Sequence, residues 1–393
     1  MPTGILNGYV LRAKHTQPGT SPPARAREEV IVGNRVDDLA NRLLELNGSD
    51  LHLKAGTPPA VRVRGLLTYL EGWETLRPAD TEGFLKEIIP EDLLPEFKHD
   101  GEADFSYTVP TVGRFRVNAF KQRGSVSIVM RFIPFGVPKF EDLKLPEAIA
   151  RLAQEERGII LVTGTTGSGK STTLASMIDL VNHSMHKHIV TIEDPIEFLH
   201  KDDKSIINQR EVGTDTVSFA RALRRVLRQD PDIILIGEIR DAESAQIALS
   251  AAETGHLVLS TLHTVDATET INRMIDLFPP HERAQVRTML AGTLKGIVGQ
   301  RLIRTTDGGR AAVCEIMVAT GRMQDFIMDP AQTGQIQQAI AEGEYYGMQT
   351  FDQALLKLIE EDRVEYEEAL KASSRPQDFK LMVQATGIGA PRR

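Results

Sequence analysis

From Val36 to Leu44 the apolar residues Val36, Leu39, Ala40, Leu43 and Leu44 recur at helical spacing, which predicts a helix with one buried face after order begins near Ile31. SDLHL and AVRVRG then alternate apolar and polar positions, as half-buried strands do. A second helix is predicted around Thr81 to Ile89. ADFSYTV, GRFRVNAF and SVSIVMRFI predict three more strands with turn residues between them. Helices and strands mixed in this way imply a small α+β domain over residues 31–135. Pro134, Gly136 and Pro138 interrupt the pattern and predict a linker over 136–148, with a hinge between Pro134 and Pro138.

From about Leu145 the pattern changes. GIILVTG, HIVTIED, DIILIGE and HLVLSTLH are nearly continuous apolar runs, the signature of strands buried on both faces. Helical segments separate them, one opening inside the glycine-rich loop and running through Ser176 to Leu180. Such alternation predicts an α/β core with a parallel, doubly wound sheet over 149–310. Beyond Ala311 the pattern is expected to become mostly helical, over 311–393, notably at Phe351 to Ile359 and Glu365 to Ala372.

Composition adds limits. In 393 residues, 41% hydrophobic and 25% charged, there is material for two cores. Residues 1–30 carry Pro18, Gly19, Ser21, Pro22 and Pro23 among polar residues and are expected to be a disordered tail. The net charge of −8 argues against a dedicated nucleic-acid binder. A single cysteine, Cys314, excludes an intramolecular disulfide and a multi-cysteine zinc site. No apolar run approaches the roughly 18–20 residues that span a bilayer, and no signal peptide is evident. A cytoplasmic protein without direct membrane insertion is expected, brought to any membrane by a partner.

The clearest chemistry is GTTGSGKS, Gly164 to Ser171. It satisfies G-x-x-x-x-G-K-[ST] directly after a buried strand and at the start of a helix. Thr165, Thr166, Gly167, Ser168, Gly169, Lys170, Ser171 and Thr172 are therefore the expected phosphate cradle. Lys170 would reach the β- and γ-phosphates of ATP, and the Ser171 hydroxyl would ligate Mg2+. Glu238, just past DIILI, stands where a Walker B acid would hold Mg2+ through water. HIVTIED and the residues after it bring Glu193, Asp194 and Glu197 to the same sheet edge, where one of them could orient the attacking water. His256 and His263 flank HLVLSTL; His263 is either structural or a sensor of the γ-phosphate. Arg240 and Asp241 form either a local ion pair or a contact with another subunit. Arg114, Arg116, Arg123 and Arg131 form either a solvated face or a set of arginines reaching an ATP site, with Arg114 and Arg116 on one strand face.

Together with SDLHLKAGTPPAVRVRG, GRFRVNAFKQRG, TIEDPIEFLH, NQREVGTDT, LRQDPDIILIGEIRD, AAETGHLVLSTLHT and GMQTFDQAL, these motifs resemble the type II/type IV secretion ATPase superfamily. The similarity is greatest to its retraction ATPases of type IV pili, and it runs from about residue 49 to 355. The resemblance implies a PAS-like α+β domain, a RecA-like P-loop ATPase core and C-terminal helices, assembled as a homo-hexamer on an inner-membrane pilus platform protein. It implies that Glu197 polarises water, that Glu238 is the Walker B acid and that His263 lies near the γ-phosphate. Arg116 and Arg131 would approach the nucleotide as subunits close.

Three departures qualify the match. The tetracysteine zinc motif typical of assembly ATPases needs more than one cysteine, which favours a retraction motor. GRMQDFI, Gly321 to Ile327, keeps little of the helix tied to retraction, and Val265 stands where a polar residue is frequent. An assembly or secretion ATPase, a nucleic-acid translocase and a non-catalytic subunit of the superfamily are the rival readings.

Overall fold

The computed structural model describes residues 35–110, 112–133 and 136–387. The expected tail, the start near Ile31 and the hinge residue Pro134 lie outside them.

The first domain comprises α1 (Arg35–Glu45), β1 (Gly48–Lys54), β2 (Ala60–Val63), β3 (Leu66–Tyr69), α2 (Pro78–Ile88), α3 (Leu94–Asp100), β4 (Glu102–Val109), β5 (Gly113–Gln122) and β6 (Ser125–Ile133). Its six strands form one antiparallel sheet in the order β3-β2-β1-β6-β5-β4. Alternation along each strand sends one face inward. Leu51, Leu53, Phe115, Val117, Ile128 and Met130 pack there against Val36, Leu39 and Leu43 of α1 and Phe84 of α2. β3 and α3 are additions to the expected elements.

The second domain runs α4 (Glu147–Ala153), β7 (Gly158–Thr163), α5 (Lys170–Ser184), β8 (His188–Glu193), β9 (Ile206–Glu211), α6 (Phe219–Val226), β10 (Ile233–Ile236), α7 (Ala242–Glu253), β11 (Leu257–Leu262), α8 (Ala267–Asp276), α9 (Arg283–Thr293), β12 (Leu294–Arg304) and β13 (Arg310–Val318). Its sheet order is β13-β12-β7-β11-β10-β8-β9, parallel except for the β12–β13 pair. In β7, Ile159 and Leu161 join the core beneath α6–α9, whereas Ile160 and Val162 join the one beneath α4 and α5. Helices on both faces explain why the strand has no polar alternation.

β9, β12 and β13 escape the apolar pattern. β9 is the edge strand IINQRE, polar over its second half, and the glycines and Gln300 of β12 interrupt its run. Beyond Ala311 the chain is mostly helical, as expected, with one addition: β13 crosses the boundary at 310/311 and closes the sheet as an antiparallel edge, buried along most of its length. Helices begin only at α10 (Gly321–Met328), followed by α11 (Ile336–Ala341), α12 (Phe351–Glu360), α13 (Tyr366–Ala372) and α14 (Pro376–Ala385). Phe351, Leu355 and Phe379 of these helices bury against Ile303 and Val313 of the hairpin.

Candidate functional site

β7 delivers the chain into the glycine-rich loop at Thr163. Gly164 has φ +142°, and a Cβ there would lie 2.3 Å from the Gln300 carbonyl oxygen and 2.6 Å from Ser168 Oγ, so only glycine fits. The loop turns into α5, fifteen residues long, whose first turn has no capping side chain. Its leading amides therefore remain free to bind an anion, with the helix dipole behind them. Lys170 is buried and donates to the carbonyls of Gly164 and Thr165 at 2.9 and 3.0 Å. Burial lowers its pKa, against the opposing pull of Glu238 and Glu197. Ser168 Oγ and Thr163 Oγ1 are buried with no protein partner. A tight glycine cradle, unpaired donors and a lysine held on loop carbonyls fit a polyphosphate.

The carboxyl ends of β7, β8, β10 and β11 enclose a cavity of about 290 Å³ lined by Thr166, Gly167, Lys170, Ser171, Glu193, Glu197, Glu238 and His263. Glu238 is held from two sides, by Arg240 Nε at 2.8 Å and His263 Nε2 at 3.4 Å. Arg240 also lies 4.0 Å from Asp194, so it pairs with these two acids, while Asp241 caps α7 by accepting from the Ser244 N–H at 2.7 Å. Of the three acids at and after the end of β8, Glu193 is committed elsewhere. It accepts from Thr191, from Gln209 and from the backbone N–H of Glu197, and burial raises its pKa. Glu197 is exposed on the cavity wall. His200 lines the same cavity, and burial pushes its imidazole down to about 4, so it is neutral. His256 lies apart, bonded to the Ala251 carbonyl.

Across the loop lies a second cavity of about 520 Å³, lined by Gly169, Thr172, Thr173, Gln300, Thr305, Asp307 and Arg310 among others. Ser171 faces the acids, whereas Thr172 faces this second space. Gln300 of β12 accepts from the Thr173 hydroxyl at 2.8 Å, tying α5 to the neighbouring strand. Sequence gave no signal for Gln300 beyond a polar residue in an apolar run. Glu315 of β13 is a further buried acid. It accepts from the N–H of Ala267, at the start of the helix that follows His263, and from Gln337. Burial pushes its carboxyl up to about 7.

Neither Arg116 nor Arg131 lines the cavity that holds Lys170. Arg116 lines a separate space of about 350 Å³ between the domains, with Asp104, Asp194 and Glu211. Arg131 Nε donates to Asp50 at 2.8 Å, and Arg62 approaches the same carboxyl at 3.8 Å. Burial alone would raise the pKa of Asp50, but hydrogen bonds from Ser49 and Arg131 outweigh it and leave the pKa lowered. Among the expected site residues, then, Lys170, Ser171, Glu197, Glu238 and His263 converge within the chain, and the two arginines stay outside.

Known proteins place this architecture. Residues 102–308 match the family described as type II/IV secretion system protein. The "Type IV pilus retractation ATPase PilT" of Pseudomonas aeruginosa is 45% identical over 331 residues, 84% of this chain and 96% of that protein. The "Twitching motility protein" of Neisseria gonorrhoeae is 46% identical over 324 residues, 82% of this chain and 86% of its own length. A crystal structure of the pilus retraction motor PilT with bound ADP superposes with a TM-score of 0.81 at 44% identity, covering 88% of this chain and 99% of that one.

Proposed function

This chain belongs to the type II/IV secretion system protein family, and from that premise we propose that it is the ATP-hydrolysing motor that retracts type IV pili in twitching motility. The observation that carries this reading is the convergence of Lys170, Ser171, Glu197, Glu238 and His263 on one cavity beside the loop, in a chain 45% identical to a protein named as a retraction ATPase.

In this reading the nucleoside occupies the cavity beside Thr172 and Gln300, and the phosphates pass over the loop to Ser171. Lys170 exchanges the carbonyls of Gly164 and Thr165 for β- and γ-phosphate oxygens, whose charge favours its protonated form. Ser171, with Glu238 through water, would hold Mg2+, which when bound neutralises charge on the phosphates. Arg240 and His263 fix Glu238, while the neutral His200 adds no charge to the pocket wall. Glu197 orients a water for in-line attack on the γ-phosphate and takes its proton. Arg116 and Arg131 would add positive charge when the first domain moves or a neighbouring copy closes in a homo-hexamer. The pilus connection would be an inner-membrane platform protein at the cytoplasmic face. Among the described residues no helix is long and apolar enough to cross a membrane.

The test has two arms. Lys170→Ala and Glu197→Ala should each lower ATP turnover by about 10²-fold or more, and near-wild-type hydrolysis in either would sink its assignment. A deletion strain should carry excess surface pili and lose twitching; a bald strain would point to assembly instead. DNA or RNA should leave turnover unchanged.

A further inference from the structure

Glu211 closes β9, and its side chain is only 5% exposed. One carboxylate oxygen accepts the backbone N–H of Ile196 at 3.0 Å and lies 3.2 Å from Arg114 Nη2 of β5. The other accepts from the hydroxyl of Ser106 on β4 and from Thr214 Oγ1 at 3.4 Å. Ile196 immediately precedes Glu197. One buried carboxylate thus touches two strands of the first domain and the loop that carries the proposed water-orienting acid of the second.

The rest of that loop is suspended from its own domain. Glu197 N–H bonds Glu193, the Phe198 carbonyl accepts from Gln209 at 2.8 Å, and His200 N–H donates to Gln209 at 2.9 Å. Thr191 and Gln209 in turn hold Glu193 at 2.7 and 3.2 Å. These anchors travel with the core sheet. Glu211 differs because its charge is matched from the first domain. Withdrawing Arg114 and Ser106 would leave a buried carboxylate short of partners, which is costly unless it moves or finds others. Either response shifts its hold on Ile196.

We propose that Glu211 is a positioning residue that makes the placement of Glu197 depend on the docking of Arg114 and Ser106 from the first domain. The proposal rests on the reading of Glu197 as the residue that orients water. A displacement on the order of 1 Å at a reacting group can cost about 10²-fold in rate, so a small shift of Ile196 is enough to switch hydrolysis with domain position. Arg114, unlike its face-mate Arg116, has a buried acidic partner from the second domain.

The experiment uses the full-length assembled protein. Arg114→Met removes the ion pair but keeps apolar bulk. Glu211→Gln keeps an oxygen that can accept from Ile196 but loses the charge. Measured quantities are kcat, KM, affinity for fluorescent ADP, the melting temperature and hydrogen exchange across residues 194–200. Arg114→Met should lower kcat about tenfold, with ADP affinity changed less than about twofold, and should speed exchange across 194–200. Arg114→Lys should restore part of kcat. The double variant should be no worse than the more damaging single one, because both break one linkage. Unchanged kcat in Arg114→Met would overturn the proposal. So would a loss shared equally by kcat and ADP affinity without local exchange, which marks a general structural role. Glu197→Ala separates the layers. If it retains wild-type turnover, the reading of Glu197 fails and takes the proposal with it. If it is inactive while Arg114→Met is fully active, only the coupling fails.

Discussion

The two domains bury charge in opposite ways. In the antiparallel domain Asp50 is buried at the sheet; burial alone would raise its pKa, but hydrogen bonds from its neighbour Ser49 and from Arg131, which reaches it from solvent, leave it lowered. In the parallel core Glu315 lies between β12, β13 and the start of α8 with backbone and amide donors, and desolvation dominates, so its pKa rises. A sheet with one open face can bring a long cation to an acid from water. A sheet covered on both faces offers mostly fixed dipoles. The same contrast governs the site. Residues at strand ends of the covered sheet converge without help, whereas arginines on the open sheet stay at its surface until another body meets them.

The largest expected difference between the domains is at glycine. Gly164→Ala would drive a Cβ into the Gln300 carbonyl and Ser168, and turnover should fall by about 10²-fold or more as the cradle distorts. Gly124→Ala, at the β5–β6 turn with φ +77° and nothing near its missing Cβ, should cost only about 1 kcal/mol of stability and leave kcat unaltered. Equal effects of the two on turnover would break the distinction between a ligand cradle and a hairpin turn.

Next in size is the pH response of Glu315. Its folded pKa of about 7 lies above the ordinary 4.5, so the stability it contributes is full below about 4.5 and lost as pH rises through 7. Glu315→Gln removes that dependence. Relative to wild type, the variant should gain up to about 3 kcal/mol between pH 4.5 and pH 8, from 1.36 kcal/mol per pKa unit. Chemical denaturation at the two pH values measures it, and parallel curves would show that Glu315 is not the titrating group.

How much of this was legible in the chain follows the same division. GTTGSGKS announces itself because a phosphate cradle is one contiguous segment bound to one strand end, and Glu238 and His263 follow from the rule that strand ends line the crevice. β9 and β13 were not legible as strands, since an edge can be polar and a short antiparallel return mimics no parallel-strand run. Glu211 and Gln300 were not legible as anchors, because their partners Arg114 and Thr173 lie 97 and 127 residues away in sequence and only folding pairs them. For Arg114 and Arg116 the alternation predicted a shared strand face, but the register that sets Arg116 opposite Arg131, and the second body their face meets, follow from no spacing rule.

The smallest effect bears on that last point. Arg131 is 69% exposed, so its pair with Asp50 should contribute only about 0.5–1 kcal/mol after solvent screening. The folded pKa of Asp50 lies below 3.8. Its contribution is therefore present above that pH and is lost as pH falls through the folded value. Arg131→Ala should lower the urea midpoint at pH 7 by an amount matching about 1 kcal/mol or less, and the difference from wild type should shrink below pH 3.8. A loss of several kcal/mol would mean that Asp50 depends on Arg131 and cannot release it. A small loss is the condition under which Arg131 can leave Asp50 for a phosphate, since a charge-assisted contact there is stronger than the exposed pair it replaces.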